Sequence, residues 1–229
     1  MPYNPRRMAV SRHDDLSLKY VLSVPSGRKD DAEMPMVIVM HGRGADANDL
    51  ADIAPALDRG GARFVFPNAP KPFEPYRGMS FGFTWFDGWP PTHDSIDGSR
   101  HLILKFIDEV TQRYPTPRGK LILAGFSQGA LMSLDVGFRT GQPLAGIVAM
   151  SGALFEDELP NFTNIHVLIV HGVDDEVIPV LAARRTRRVL EDHGLSPEYH
   201  EFAMGHWVTE ESIVVVGEFI GRCFGPPLA

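Results

Sequence analysis

The chain has 229 residues, a formal net charge of −7 and 22% charged residues. This length suits one domain, which we expect to span residues 1–229, and it is long enough to bury a core. The excess of acidic over basic residues argues against a nucleic-acid partner, and the 44% hydrophobic content argues against disorder. The single cysteine, Cys223, excludes an internal disulfide and favours a cytoplasmic location.

We expect the chain to carry neither a secretion signal nor a membrane span. Residues 1–16 contain no apolar stretch of the signal-peptide type, and no run of about 18 apolar residues occurs. Glycine (22 residues) and proline (19 residues) together exceed the roughly 12% of ordinary usage. This surplus indicates many loops and tight turns, and it argues against a long helical bundle.

Apolar runs of strand length alternate along the chain with segments of helical period. The predicted strands, in chain order, are residues 16–24, 35–40, 63–66, 120–124, 144–150, 165–170 and 197–203. The predicted helices are residues 48–57, 97–114, 128–138, 177–193 and 210–223. Because most of these strands are apolar on both faces, we predict an α/β fold with a mostly parallel central sheet and helices on both faces.

One stretch lacks this periodicity. Residues 67–91 hold six of the prolines, and residues 71–96 hold seven of the aromatic side chains. Ordered loops of this length are uncommon and are often functional, although the loop could also pack on its own aromatics. Since the chain length leaves no room for a separate cap domain, we expect this aromatic loop (residues 71–96) to supply much of a pocket wall.

A G-x-S-x-G motif at residues 125–129 follows one predicted strand and opens the next predicted helix. This context is typical of a sharp strand-to-helix turn that exposes its central residue in a strained conformation. The flanking residues are glycines because a Cβ there would clash with neighbouring backbone. Ser127 is therefore the candidate nucleophile, and a glycine-flanked turn serine without a catalytic role is the alternative.

A serine hydroxyl needs a base, and histidine suits this role because its pKa is about 6.5. In chains with this turn the acid and then the histidine follow the serine. The histidines after the serine are His166, His171, His193, His200 and His206. We favour His206, which lies on a loop between the last predicted strand and the last predicted helix.

The acid is expected on the loop at residues 171–179. Asp174, Asp175 and Glu176 compete for this role, and side-chain chemistry alone does not separate them. The acid must accept a hydrogen bond from the histidine and stabilise the imidazolium as it forms.

An oxyanion intermediate needs at least two N–H donors. One is expected to be the backbone N–H of Gln128, directly after the nucleophile. The other is expected from the loop at residues 41–46, where Gly42 and Gly44 let the backbone approach a substrate.

Six short motifs follow one another along the chain: HGRGAD (41–46), FPNAP (66–70), WFD (85–87), GFSQG (125–129), HGVDDEVIP (171–179) and GH (205–206). On these motifs the chain resembles the phospholipase/carboxylesterase family of small α/β hydrolases, which includes acyl-protein thioesterases. The resemblance spans nearly the whole chain. It implies an α/β-hydrolase fold and a Ser-His-Asp serine esterase that needs no metal or organic cofactor.

The resemblance assigns two residues that the chemistry left open. It implies that Asp175 is the acid, because the family acid is followed by x-V-[VI]-P, and that the N–H of Arg43 is the second oxyanion donor. It also implies a carboxylesterase for small to medium acyl esters. A thioesterase or lysophospholipase for longer acyl chains is the alternative, and family members often form homodimers through surfaces near the site.

Arg43 departs from the thioesterase branch, where this position is commonly apolar. We hypothesise that its side chain lines the pocket mouth and favours a polar or anionic acid portion. An arginine that points into solvent is the alternative. The residues expected to contact the substrate are two glycines and four aromatics: Gly42, Gly44, Phe81, Trp85, Phe86 and Trp207.

Other interpretations carry less weight. No H-E-x-x-H or paired-cysteine spacing occurs, so we expect no metal site. A basic cluster could bind an anionic group, although a solvated helix face is the simpler interpretation; it comprises Arg184, Arg185, Arg187 and Arg188. Cys223 is expected to be packed and inert. A non-catalytic binding protein on the same fold is the remaining alternative.

Overall fold

The computed structural model describes residues 7–29, 33–59, 61–76, 78–160 and 165–225. Its strands are β1 (Met8–His13), β2 (Tyr20–Pro25), β3 (Met36–Met40), β4 (Arg63–Pro67), β5 (Lys71–Pro72), β6 (Phe83–Thr84), β7 (Leu121–Phe126), β8 (Leu144–Met150), β9 (His166–Gly172) and β10 (Glu198–Phe202). Its helices are α1 (Ala54–Leu57), α2 (His93–Arg113), α3 (Gln128–Gly137), α4 (Val180–Asp192) and α5 (Glu210–Phe224), and a short 3₁₀ turn, Ala51–Ile53, precedes α1.

Eight of these strands form one sheet in the order β1-β2-β4-β3-β7-β8-β9-β10. Strand β2 runs antiparallel to both of its neighbours, β1 and β4. All other neighbours in this sheet are parallel. The prediction of a mostly parallel central sheet is confirmed. Strands β5 and β6 form a separate antiparallel pair.

Alternate residues of the central strands pack against helices on opposite faces. In β3, Met36 and Ile38 belong to the core cluster that includes the apolar side of α2. Val37 and Val39 belong to the cluster on the other face, which includes residues of α1 and α5. Helices α3 and α4 share a third cluster with β8 and β9. Because helices cover both faces, the central parallel strands β3, β7, β8 and β9 are mostly apolar and buried, as predicted, whereas the edge strand β10 is polar and partly exposed.

The predicted first strand, 16–24, is wrong in its extent. The structure has two strands in this region, β1 and β2, and only β2 overlaps the prediction. Strand β1 lies at the edge of the sheet with most of its residues exposed, so it shows no apolar run. Helix α2 also begins earlier than predicted, because Thr92 and Ser95 form a capping box before it.

The segments that carry the predicted site residues follow the carboxyl ends of the parallel strands. The loop at 41–46 follows β3, Ser127 follows β7, Asp175 follows β9 and His206 follows β10. In a parallel sheet these ends meet at one edge, which is where open α/β sheets bind ligands. Within the described ranges, every helix is too short or too polar to cross a membrane.

Candidate active site

Ser127 occupies a strained turn between β7 and α3. Its backbone has φ 56° and ψ −118°, a conformation that residues other than glycine rarely adopt. The surrounding backbone holds it there: its N–H donates to the carbonyl of Met150 at 2.9 Å, and its carbonyl accepts the N–H of Ala130 at 3.0 Å. This strained turn places the serine hydroxyl within hydrogen-bond distance of His206.

The two glycines of the motif are required by close backbone packing. A Cβ on Gly125 would overlap the carbonyl group of Gly129. A Cβ on Gly129 would overlap the carbonyl oxygen of Met40, the last residue of β3. The steric reason given for the motif therefore holds in the structure.

Ser127, His206 and Asp175 form one chain of hydrogen bonds. The Nε2 atom of His206 lies 2.8 Å from the Oγ of Ser127, and its Nδ1 lies 2.8 Å from the Oδ2 of Asp175. A carboxylate can only accept, so Nδ1 carries the proton and Nε2 is free to accept the serine hydroxyl. The structure thus brings together Ser127 and His206, the predicted nucleophile and base, with Asp175, the acid that the family resemblance implied.

Asp175 is the carboxylate of its loop that faces the histidine. It is buried, and its Oδ1 accepts the backbone N–H groups of Val177 (2.9 Å) and Ile178 (2.8 Å). The competing side chains, Asp174 and Glu176, are exposed. These two hydrogen bonds orient the carboxyl group of Asp175 so that its Oδ2 faces the ring of His206.

His171 lies beneath this loop as a fully buried support. Its Nε2–H donates to the carbonyl of Ile178 at 2.7 Å, and the same nitrogen lies 3.4 Å from Asp175. Burial lowers the pKa of His171, against the raising effect of that carboxylate. The imidazole is therefore neutral near pH 7. Its hydrogen bond to Ile178 holds the loop that carries Asp175 in place, and it makes no hydrogen bond to Ser127.

His41 supports the loop on the other side of the serine. Its Nδ1–H donates to the carbonyl of Gly42 at 2.7 Å, and its Nε2 accepts the N–H of Ala69 at 3.0 Å. The indole N–H of Trp85 donates to the carbonyl of His41 at 2.8 Å. Burial lowers the pKa of this imidazole too. No role for His41 was predicted from the sequence, because its partner Ala69 lies far along the chain.

The aromatic loop packs against the 41–46 loop. The N–H of Gly44 donates to Phe83, and the N–H of Phe83 donates to Ala45, each at 2.8 Å. A Cβ on Gly82 would lie 2.5 Å from the carbonyl oxygen of Gly44, so only glycine fits this approach. The aromatic loop therefore fixes the backbone that was predicted to supply an oxyanion donor.

The side chain of Gln128 connects the nucleophile turn to the aromatic loop. Its Oε1 accepts the N–H of Trp85 (3.0 Å) and the hydroxyl of Thr84 (3.1 Å), and its Nε2 donates to the carbonyl of Phe86 (2.9 Å). The backbone N–H of Gln128 is at the first residue of α3, where no acceptor exists within a helix. That N–H and the N–H of Arg43 donate to no acceptor among the residues that the structure describes.

A cavity of about 120 Å³ opens beside the serine. Its lining residues are Arg43, Trp89, Ser127, Gln128, Val177 and Ile178. Both predicted oxyanion residues thus adjoin the nucleophile. Three of the lining residues were absent from the predicted contact set: Trp89, Val177 and Ile178. Val177 and Ile178 belong to the predicted acid motif at residues 171–179, but the motif does not indicate that their side chains line the cavity.

The prediction that Trp85 and Phe86 contact the substrate is wrong. Both side chains are fully buried in the core and expose no surface to a ligand. Phe81 and Trp207 are about half exposed, but neither lines the cavity beside the serine. Gly42 and Gly44 lie in the loop as predicted, where Gly42 packs near Ser127 and Gly44 near Phe73.

The basic cluster and Cys223 lie outside this site, and the structure explains both without a functional role. Three arginines of the basic cluster form ion pairs, namely Arg184 with Glu201, Arg185 with Asp157 and Arg187 with Glu191. Burial raises the pKa of the Cys223 thiol to about 11, so it is protonated and unreactive near neutral pH. Among the described residues, no group of three or more potential ligand side chains is arranged to hold a metal ion.

A sequence model of the family described as Phospholipase/Carboxylesterase matches residues 24–224. The chain belongs to the phospholipase/carboxylesterase family. This confirms the resemblance, the α/β-hydrolase fold and the assignment of the chain to hydrolases of ester bonds.

Similar proteins fit this family membership. The chain is 29% identical to Acyl-protein thioesterase 1 of Debaryomyces hansenii over 172 residues, which cover 69% of this chain and 74% of that protein. The crystal structure of esterase PE8 has a TM-score of 0.73 and 26% identity, with 88% of this chain and 99% of that chain covered. A carboxylesterase from Mesorhizobium loti shares the fold, with a TM-score of 0.79, 19% identity and coverage of 93% and 98%.

The Gln128 amide is expected to contribute to stability through its buried hydrogen bonds. Gln128→Met keeps the volume but leaves polar groups of Trp85 and Phe86 buried without this partner, so the free energy of unfolding falls by about 1–3 kcal/mol. Urea unfolding measures this loss. The control is Gln142→Met, which removes an amide bound to Asp108 at the surface and changes stability by about 0.5 kcal/mol or less. Equal losses in the two variants would contradict the role of Gln128.

The two buried neutral histidines predict a stability that falls in acid. The folded-state pKa values of His41 and His171 are lowered, so below about pH 6.5 the unfolded chain binds protons that the native chain does not. The free energy of unfolding then falls with decreasing pH, by up to about 1.4 kcal/mol per pH unit for each histidine. His41→Gln should flatten this slope, measured by urea unfolding across the acid range. An unchanged slope in the variant would refute the contribution of His41.

Proposed function

We propose that this protein is a serine carboxylesterase with Ser127 as nucleophile, His206 as general base and acid, and Asp175 as the orienting acid. The observation that carries this proposal is the hydrogen-bonded chain through His206, with 2.8 Å on each side of the ring. The strained backbone of Ser127 and the membership of the chain in a family of ester hydrolases also support the proposal.

The proposed reaction has two acyl-transfer steps. Ser127 attacks the ester carbonyl as His206 takes its proton, and the buried carboxylate of Asp175 stabilises the imidazolium. His206 then protonates the leaving alcohol, which departs and leaves an acyl-enzyme. Water attacks this ester with His206 again as base, and the acid is released.

The backbone N–H groups of Arg43 and Gln128 are the proposed oxyanion donors. Both residues line the cavity beside the serine, and neither N–H has another acceptor among the described residues. In addition, the N-terminus of α3 places positive potential at this point. A donor of this kind is worth on the order of 3 kcal/mol of transition-state stabilisation.

The size of the cavity favours esters with small to medium acyl groups. Its volume of about 120 Å³ is below the 300–1,000 Å³ that is common for pockets that enclose larger ligands. The competing proposal is a thioesterase or lysophospholipase for longer acyl chains. That proposal is supported by the likeness to Acyl-protein thioesterase 1.

A graded substrate series separates these two proposals. With p-nitrophenyl esters from acetate to decanoate, kcat/KM should peak at short chains and fall at least about tenfold by decanoate, which corresponds to about 1.4 kcal/mol. Matching acyl-coenzyme A thioesters test the leaving group. A steady rise of kcat/KM with chain length in either series would support the long-chain alternative instead.

Ser127→Ala should abolish turnover. Loss of the nucleophile is expected to lower kcat by a factor on the order of 10⁴ or more, since only binding and oxyanion stabilisation remain. A fluorophosphonate probe should label the folded wild-type protein and the exposed-serine control Ser196→Ala, and it should not label Ser127→Ala. Absence of labelling in the folded wild type would favour the non-catalytic binding protein.

We further propose that residues 1–229 form one domain, that it resides in the cytoplasm and that it forms a homodimer. Membership of all described strands except β5 and β6 in one sheet supports a single domain. The lone cysteine supports a compartment that keeps thiols reduced. Two exposed apolar side chains that line the cavity, Trp89 and Val177, support a covered surface there and hence a homodimer.

A further inference from the structure

The guanidinium of Arg43 has no carboxylate partner among the residues that the structure describes. Its guanidinium carbon lies over the ring of Phe73, 5.4 Å from the ring centroid. Other arginines differ: Arg100 pairs with Asp135, and Arg184 with Glu201. The side chain of Arg43 is exposed and lines the cavity that contains Ser127. A positive charge without a protein counter-ion therefore adjoins the nucleophile.

The contact with Phe73 restrains where this charge can lie. The backbone N–H of Phe73 donates to Gly82 at 2.9 Å, and its carbonyl accepts the N–H of Phe81 at 2.8 Å. Its ring packs close to Gly44 in the same loop as Arg43. A cation–π contact with a ring held in this way favours one position of the guanidinium of Arg43, a residue that lines the cavity. The guanidinium is thus restrained without losing its capacity to bind an anion.

The rest of the cavity does not neutralise this charge. Apart from Ser127 and Gln128, the other lining side chains are apolar, namely Trp89, Val177 and Ile178. A guanidinium beside apolar walls is a strong partner for a carboxylate, which it can bind through two parallel hydrogen bonds. The small cavity, about 120 Å³, keeps that carboxylate within a few atoms of the serine. Because the whole chain carries a charge of −7, it does not attract anions in general, so a local cation is needed.

Building on the proposed esterase function, we propose that Arg43 determines specificity, and that the site prefers esters carrying a carboxylate a few carbon atoms from the scissile carbonyl. Monoesters of short dicarboxylic acids carry this group in the acyl portion, and acyl derivatives of short hydroxy acids carry it in the alcohol portion. The guanidinium binds the carboxylate while Ser127 attacks the ester. Both classes of substrate carry one anionic group close to one ester bond.

Pairs of substrates that differ only in this charge test the proposal. In the acyl arm, monomethyl succinate is compared with methyl levulinate, in which a methyl group replaces the charged oxygen. In the alcohol arm, acetoxyacetate is compared with acetoxyacetone. The quantity measured by pH-stat at neutral pH is the ratio of kcat/KM for the anionic ester to that for its neutral partner. We expect a ratio above one in at least one arm, and the arm shows which portion carries the carboxylate.

Arg43→Ala should lower this ratio by about tenfold or more in the arm that shows the preference, since a hydrogen bond to a charged group is lost. Arg43→Lys should restore part of the ratio, because it keeps the charge and loses the two-bond geometry. The control is Arg188→Ala, which removes the same charge from an exposed position on α4 outside the cavity lining and should leave the ratio unchanged.

A ratio of one or less in both arms, or one that Arg43→Ala leaves unchanged, would overturn this proposal. Those outcomes differ from a failure of the esterase assignment. If Ser127 is not the nucleophile, Ser127→Ala still hydrolyses methyl levulinate and acetoxyacetone. If only the role of Arg43 is wrong, Ser127→Ala is inactive while the wild-type protein hydrolyses both members of each pair without an Arg43-dependent preference.

Discussion

Direct backbone contact at the nucleophile turn is the constraint on which the rest of the site depends. Gly125 faces the carbonyl of Gly129, and Gly129 faces the carbonyl of Met40, with no side chain between them. This contact fixes the spacing of β3, β7 and α3 and keeps Ser127 at a positive φ. Because the 41–46 loop follows Met40 directly, the same contact sets the distance from the serine to Arg43.

Uncharged buried groups then hold the loops around this turn. The amide of Gln128 binds the segment at residues 84–86, and the neutral imidazole of His41 binds the backbone of Gly42 and Ala69. On the other side of Ser127, the neutral imidazole of His171 donates to the carbonyl of Ile178 and so holds the loop that carries Asp175. Neutral partners suit this task, since a buried charge would need its own counter-ion and would compete with the Asp175–His206 pair.

Charged side chains have different partners between the helices and at the cavity. Asp135 in α3 is buried and is matched by Arg100 of α2 and by Arg139, so this ion-pair group joins two helices on one face of the sheet. At the cavity, Asp175 is held by two N–H groups and His206, and the guanidinium of Arg43 is stacked on a ring. Backbone dipoles and an imidazole thus hold Asp175, and an aromatic ring contacts Arg43, which leaves the guanidinium available to an anion.

The sequence by itself predicted the central strands, most of the helices, Ser127 as nucleophile and His206 as base, and the resemblance to the family implied Asp175 as the acid. Continuous apolar runs and the glycines at 125 and 129 are local signals, because burial on both faces and close backbone contact each act on a few neighbouring residues. Tertiary structure alone decided that Trp85 and Phe86 are buried and that Trp89, Val177 and Ile178 line the cavity. It also supplied the edge strand β1, whose exposed side chains show no apolar pattern. Which face of a loop meets the core depends on distant partners, such as Gln128 for Trp85, and the local sequence does not encode them.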